Sequence, residues 1–191
     1  MKKLVLALLT AAVMAGATFA AQGDQYINVK AGLGVAGNVN SNEEGSPAID
    51  YSTLVSFSVG GEYLYGISNI VSIGAGVEYV FPTKVHVGDD VKVSYFPVYA
   101  TIKANVSENK DFFLKGNFGF VASAYHSGAN LTPNDPELNL EGSLYWAVGF
   151  GYEFDKTWSA DVMYSSYGSG VNNDNYTFTK VGISLGYKFK I

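Results

Sequence analysis

From Gln25 onward the chain is written in stretches of about ten residues in which apolar and polar side chains alternate, and a period of two is what a strand with two unlike faces requires. In 70–82, Val71, Ile73, Ala75, Val77, Tyr79 and Phe81 share one face and Ser72, Gly74, Gly76 and Glu78 the other. In 141–154, Leu144, Trp146, Val148, Phe150, Tyr152 and Phe154 stand opposite Ser143, Tyr145, Ala147, Gly149, Gly151 and Glu153. In 177–190, Val181, Ile183, Leu185, Tyr187 and Phe189 stand opposite Gly182, Ser184, Gly186, Lys188 and Lys190. Eight stretches of this kind run 25–36, 54–65, 70–82, 91–106, 112–125, 141–154, 157–167 and 177–190. Their connections differ in length: 37–53 and 126–140 are long, 83–90 and 168–176 medium, and 66–69, 107–111 and 155–156 short. The pattern predicts an all-β, eight-stranded antiparallel up-and-down barrel with one tight rim and one loop-rich rim.

Which face points inward separates a membrane barrel from a soluble one. Eight strands enclose a lumen only wide enough for side chains to fill. The bulky Trp, Phe and Tyr set would crowd such a lumen, whereas Gly, Ser and a few charges fit it. A soluble exterior would need more charge than this chain, with 15% charged residues, has to offer. The expectation is therefore a transmembrane barrel, with apolar side chains toward lipid and the short turns at the periplasmic rim. Aromatics near those turns, Tyr63, Tyr65, Phe112, Tyr152, Phe154 and Trp158, match an interfacial girdle at headgroup depth.

The first twenty residues read as an address. Lys2 and Lys3 precede a weakly polar to apolar run from Leu4 to Ala15, too short to span a bilayer as a helix. Thr18 and Ala20 occupy the small-residue positions before a cut, so 1–20 is expected to be a cleavable signal peptide and 21–191 the barrel domain. No Cys is present, which excludes a disulfide scaffold, a thiol enzyme and a Cys-ligated zinc site. The twelve basic residues are all Lys and the net charge is -5, the wrong sign for a nucleic-acid partner.

Strand parity places Lys30, Glu62, Glu78, Lys103, Lys115, Glu153, Asp161 and Lys188 on the polar, lumenal face. Charges in a dry lumen must be paired, so the expectation is an ion-pair network that plugs the barrel and serves structure rather than catalysis. Gly32/Gly34, Gly74/Gly76 and Gly149/Gly151 lie inside strands with no helix following, so they fail the context a dinucleotide-binding turn needs. Inward glycines instead make room for long neighbours.

Together with the closing segment Val181 to Ile191, these features resemble the small outer-membrane β-barrel domain family, of the OmpA membrane-domain, OmpX and opacity-protein kind. The resemblance spans the mature chain. It implies an outer-membrane location, lipid and lipopolysaccharide as surroundings, and a C-terminal strand read by the barrel-assembly machinery. That strand usually ends in an aromatic residue; this one ends in Ile191, with Phe189 and Tyr187 on its outward face. With the eighth strand at the chain's end, the wall-tethering domain of larger relatives is not expected.

The leading functional expectation is a non-enzymatic surface barrel with a structural or adhesion-like role. Acidic residues Glu43, Glu44, Asp50, Asp89, Asp90, Asp135, Glu137 and Asp174 crowd the loop-rich rim against Lys84, a surface suited to an extracellular partner or to bridging cations. No spacing there matches a calcium loop, and no cofactor or metal is expected. A lipid-modifying enzyme would draw on His126 with Ser127, Ser123 taken as inward, and Glu141; adjacent strand residues point to opposite faces, which makes His126 with Ser127 a poor pair. The resemblance to outer-membrane deacylases asks for His and then Ser two residues on, and position 128 is Gly. His86 is expected in a solvated loop. A small pore or a conduit for apolar molecules is the remaining alternative, and eight strands leave little space for water.

Overall fold

The computed structural model describes residues 23–41, 51–52, 55–68, 70–87, 89–106, 111–127, 142–155, 157–171 and 174–191. The proposed signal peptide lies outside the described residues. Strands β1 (Gln25–Ser41), β3 (Ser56–Gly66), β4 (Val71–Val87), β5 (Asp89–Asn105), β6 (Phe112–Ser127), β7 (Leu144–Glu153), β8 (Trp158–Val171) and β9 (Asp174–Lys190) pair in sequence order, each antiparallel to the next. The two-residue β2 (Tyr51–Ser52) pairs only with the far end of β1. β9 returns to β1 along a ladder from Tyr26↔Lys190 to Ser41↔Tyr176, closing an eight-stranded barrel. Closure leaves no sheet edge across that seam, the condition for a β-structure to stand in lipid.

Alternation is realised as anticipated. Val29, Ile73, Ile102, Leu114, Phe118, Trp146, Val148, Phe150, Ile183, Leu185 and Phe189 face outward and exposed. Trp146 and Phe150 are thus on the lipid side. The aromatic rings near the tight rim interlock, Phe112 with Tyr152 at 4.8 Å, Trp158 with Tyr187 at 4.9 Å and Tyr187 with Phe189 at 4.7 Å between centroids.

Tight turns close by side-chain caps. Ser68 Oγ accepts from the backbone N–H groups of Ile70 and Val71 at 3.3 and 3.0 Å. Asp155 Oδ1 accepts from those of Thr157 and Trp158 at 2.6 and 2.7 Å. The local aspartate bonds replace the ladder bonds that the chain reversal loses.

Several strands run further toward the loop-rich rim than the sequence pattern indicates. The medium connection 83–90 is a continuation of β4 and β5, with Val85 opposite Val91 and Val87 opposite Asp89 on either side of Gly88. The described residues of the connection 168–176, 168–171 and 174–176, are similarly strand, with Ser169 opposite Tyr176 and Val171 opposite Asp174. His86, Lys84, Asp89, Asp90 and Asp174 therefore belong to strands, not loops. Charged residues marked these segments as loops, yet paired backbone satisfies its own hydrogen bonds in water as in lipid. Glu43, Glu44, Asp50, Asp135, Glu137 and Glu141 lie outside the described residues.

Three register shifts interrupt the ladders, between Gly34 and Ala36, between Val80 and Thr83, and between Phe96 and Pro97. Two contain or adjoin a proline, Pro82 and Pro97, whose missing N–H cannot complete a central ladder. Each extra residue flips the parity beyond it. Val121, opposite Pro97, keeps the inward parity of Lys115 and Asn117 and is fully buried, while Ser123, past the shift, is exposed on the outside. Ser123 is therefore not the inward partner that uninterrupted alternation placed there.

Two outcomes follow. Val148→Lys, near the middle of β7 and facing lipid, should cost about 2–4 kcal/mol in denaturant unfolding from vesicles. The Asp155 carboxyl is held below the usual carboxylate range by the backbone N–H groups of Trp158 and Thr157. A carboxylate depressed in the folded state contributes its stabilisation above its unfolded value and loses it as pH falls through the lower folded one. The turn amides of Thr157 and Trp158, followed by NMR, should therefore lose their hydrogen-bonded shifts only at acid pH, and Asp155→Ala should abolish that titration.

Candidate functional site in the barrel lumen

Within the lumen, side chains from six of the eight strands converge on two carboxylates, each holding two ammonium groups. Glu62 of β3 is 1% exposed. Its Oε1 lies 2.8 Å from Lys30 Nζ on β1 and 2.6 Å from Lys115 Nζ on β6. Lys115 also reaches Asp161 of β8 at 3.4 Å, and Ser184 of β9 donates to the other oxygen of Asp161. Tyr99 Oη donates to Glu62 Oε1 at 3.0 Å and Asn28 Nδ2 to Oε2 at 3.4 Å. Glu62 is thus satisfied from β1, β5 and β6 at once, which is what a carboxylate withdrawn from water demands.

Gly76, opposite Glu62 in the ladder, makes this arrangement possible. A Cβ there would stand 2.6 Å from the Tyr99 ring and 2.8 Å from Glu62 Cγ. The inward glycine is a packing device, as its place inside a strand implied.

Closer to the tight rim, Glu153 of β7 pairs with Lys103 of β5 and, at 2.6 Å, with Lys188 of β9. Lys103 Nζ also sits 4.3 Å from the centre of the Phe113 ring, an arrangement that favours a cation over an aromatic face. Toward the loop-rich rim, Glu78 of β4 meets Lys180 of β9 at 3.6 Å.

The structure thus brings Lys30, Glu62, Lys115 and Asp161 into one cluster, Lys103, Glu153 and Lys188 into a second, and Glu78 into a third pair with Lys180. Sequence parity overlooked Lys180, which lies two residues before Gly182 on the same inward register as Lys188. Its inclusion makes five lysines to four carboxylates among the described lumenal residues. Asn28, Asn117 and Tyr99 were also overlooked, because uncharged polar residues give no parity-breaking signal of their own, whereas Ser184 was read on the inward face.

Above these clusters the lumen is aromatic. Tyr95 and Tyr167 lie 4.5 Å apart, Tyr99 and Tyr145 5.5 Å, and Phe178 stacks on Tyr167 at 5.2 Å. Val80, Val93 and Val121 complete this buried apolar layer. The sequence reading filled the lumen with small polar residues. The rings stand on the same inward parity as Lys103, Glu153, Asp161 and Lys188 of their own strands, and glycines such as Gly119, whose Cβ would stand 2.9 Å from Tyr99 Cβ, clear the space for them.

Among the described residues no group of three His, Asp or Glu side chains stands close enough to hold a metal ion. His126 pairs with Val93 and Ser127 with Lys92 in the β5–β6 ladder, which places the two on successive rungs rather than side by side.

Residues 4–189 match a family described as outer membrane protein beta-barrel domain. No curated protein matches the chain. Among solved structures, the crystal structure of neisserial surface protein A is similar at 16% identity and a TM-score of 0.54, over 86% of this chain and 97% of that one. The attachment invasion locus protein of Yersinia pestis is similar at 15% identity and a TM-score of 0.49, over 88% of this chain and 100% of that one. At such identities the likeness is one of fold.

The Glu62 cluster allows a graded test. Glu62→Gln removes the carboxylate from two buried ammonium groups, whereas Lys30→Met leaves Glu62 its contact with Lys115. Unpairing a buried charge costs about 3–5 kcal/mol, so in urea unfolding Glu62→Gln should fall at or above that range and Lys30→Met below it.

Proposed function

Because this chain belongs to the outer membrane protein β-barrel domain family, and so resides in the bacterial outer membrane, we propose that it is a non-enzymatic surface barrel. Its lumen is closed by the ion-pair network, and its working surface is the loop-rich rim. The observation that carries this reading is Glu62, buried between Lys30, Lys115, Tyr99 and Asn28 in the centre of the barrel. A carboxylate with every partner supplied by the protein has no capacity left to bind a solute or to move protons in a reaction. Ionic ties from β1, β5, β6, β8 and β9 converge on the lumen and brace the cylinder, which suits a structural element of the envelope.

Outward-facing Ile, Leu, Val and Phe provide contact with lipid and lipopolysaccharide acyl chains. The hairpins that project past the register shifts carry Asp89, Asp90 and Asp174, so an extracellular partner would present a basic surface or come with divalent cations. The C-terminal strand, with Tyr187 and Phe189 outward, is the segment offered to the assembly machinery, and 1–20 is the export signal removed beforehand. Against lipid chemistry stands Ser123, which faces outward past the register shift rather than toward His126.

Envelope fractionation followed by electrophoresis of unheated and boiled samples should give an outer-membrane protein whose mobility changes on boiling. Planar bilayers should show no steady conductance at low voltage. Steady channels in the wild-type protein would replace the plugged reading with the pore reading, and phospholipid or lipid A turnover abolished by His126→Ala would replace it with an enzymatic one.

A further inference from the structure

Lys30 and Lys115 share Glu62, Lys103 and Lys188 share Glu153, Lys180 has Glu78 and Lys190 has Asp24. Lys92 of β5 is exposed and, among the described residues, has no carboxylate partner. Its ladder partner on β4 is another lysine, Lys84. Thr83 and Val93 on the adjoining rung are buried inward, so alternation puts the Lys84↔Lys92 rung on the outer face. Like charges directly opposite one another destabilise a sheet, yet two of the three lysines in the loop-side half of the barrel stand here; the third is lumenal Lys180. One rung further out on this face, Asp90 stands opposite His86, a single acid against two lysines.

The rung lies at a definite depth. From Val106 at the tight rim to Phe96, ten residues of β5 rise roughly 33 Å along the strand and about 25 Å along the membrane normal at a tilt of about 40°, the height of an apolar belt. Lys92, four residues on, is about 10 Å above that edge, at the level of outer-leaflet headgroups. Beneath the rung, Tyr79 and Phe81 of β4 meet edge to face at 5.0 Å, and Phe96 of β5 and Phe120 of β6 continue the same outer face. Tyr125 of β6, 62% exposed, stands one rung below Lys92 on that face.

We propose that Lys84 and Lys92 form a site on the outer wall for one phosphate group of an outer-leaflet glycolipid, whose acyl chains descend over Tyr79, Phe81, Phe96 and Phe120. This rests on the lipopolysaccharide contact of the proposed function and gives that contact a place. A phosphate monoester carries close to two negative charges, which two ammonium groups match; a carboxylate carries one and would leave a lysine unmatched. The rings directly beneath favour a phosphate that bears hydrocarbon chains over a free anion, and the Tyr125 hydroxyl stands where a sugar would lie. Asp89 and Asp174 on the other projecting strand ends give the rim the opposite sign, which confines an anionic headgroup to the β4–β5 wall.

The protein, refolded in detergent micelles free of lipopolysaccharide, is titrated with diphosphoryl lipid A and binding is followed by microscale thermophoresis. Lys84→Gln and Lys92→Gln should each weaken binding about fivefold, the contribution of one lysine at an anionic lipid surface, and together about twentyfold or more. Replacing both by Arg should restore it. Lipid A stripped of its phosphates should bind the wild type as weakly as diphosphoryl lipid A binds the double variant, and inorganic phosphate should not compete. Unchanged affinity in the double variant, or competition by inorganic phosphate, overturns the site and leaves lipopolysaccharide as a partner. No binding of lipid A to the wild type overturns that reading as well. Removing two opposed charges should leave the urea midpoint without lipid A no lower than that of the wild type; a lower one makes the lysines structural and overturns the proposal. If the double variant does not refold, NMR of the wild type decides. Lipid A should shift the amides of Lys84, Lys92 and Tyr125 more than those of Ser166 and Thr179 on the opposite wall, and equal shifts overturn the site.

Discussion

The ladder between β1 and β9 is the contact on which everything else depends. Hydrocarbon offers no partner to a free N–H or C=O group, so a sheet in lipid must find its last strand's partner in its first. Fifteen matched residues from Tyr26↔Lys190 to Ser41↔Tyr176 supply it here. Closure at eight strands then fixes the diameter, and the diameter fixes how much side chain the lumen must hold. What fills the lumen is thus a consequence of strand number as much as of residue choice.

The filling is stratified. Near the tight rim and at mid-height, carboxylates are each shared by two lysines; nearer the loop-rich rim, tyrosines and valines pack as they would in a soluble core. Both solutions fill the cross-section of the barrel, by different physics. Ion pairs buried without full hydrogen bonding are a poor source of stability, and here the surplus valences of Glu62 are met by Tyr99 and Asn28. Rings need no such partners but need volume, which Gly119 and Gly76 release by lacking a Cβ.

The register shifts link these layers to the projecting hairpins. By inserting one residue into β1, β4 and β6, the shifts reverse which side chains of those three strands face inward near the loop-rich rim, while β5, β7, β8 and β9 keep their parity. One of these shifts, opposite Pro97, carries Ser123 to the outer surface and removes it from any constellation with the lumenal groups. A backbone irregularity forced by a missing N–H thereby bears on what chemistry the rim can hold.

Alternation in the sequence determined the strand count, the antiparallel order, the tight turns and the outward placement of residues such as Trp146 and Phe150, because period-two polarity has only one reading once one face is bulky and apolar. It also placed Lys30, Glu62, Glu78, Lys103, Lys115, Glu153, Asp161 and Lys188 on the inner face. It did not say which carboxylate meets which lysine. Partners 30 to 50 residues apart in sequence, such as Lys30 with Glu62 or Lys103 with Glu153, meet across the lumen at heights set by strand stagger, and stagger is a property of the closed sheet. The hairpins past 83 and 168 and the reversed parity of Ser123 were decided by tertiary structure, since pairing at the loop-rich rim and the extra residue between Val121 and Ser123 show only when neighbouring strands are laid side by side; Lys180 and the tyrosine layer keep the plain parity of their own strands.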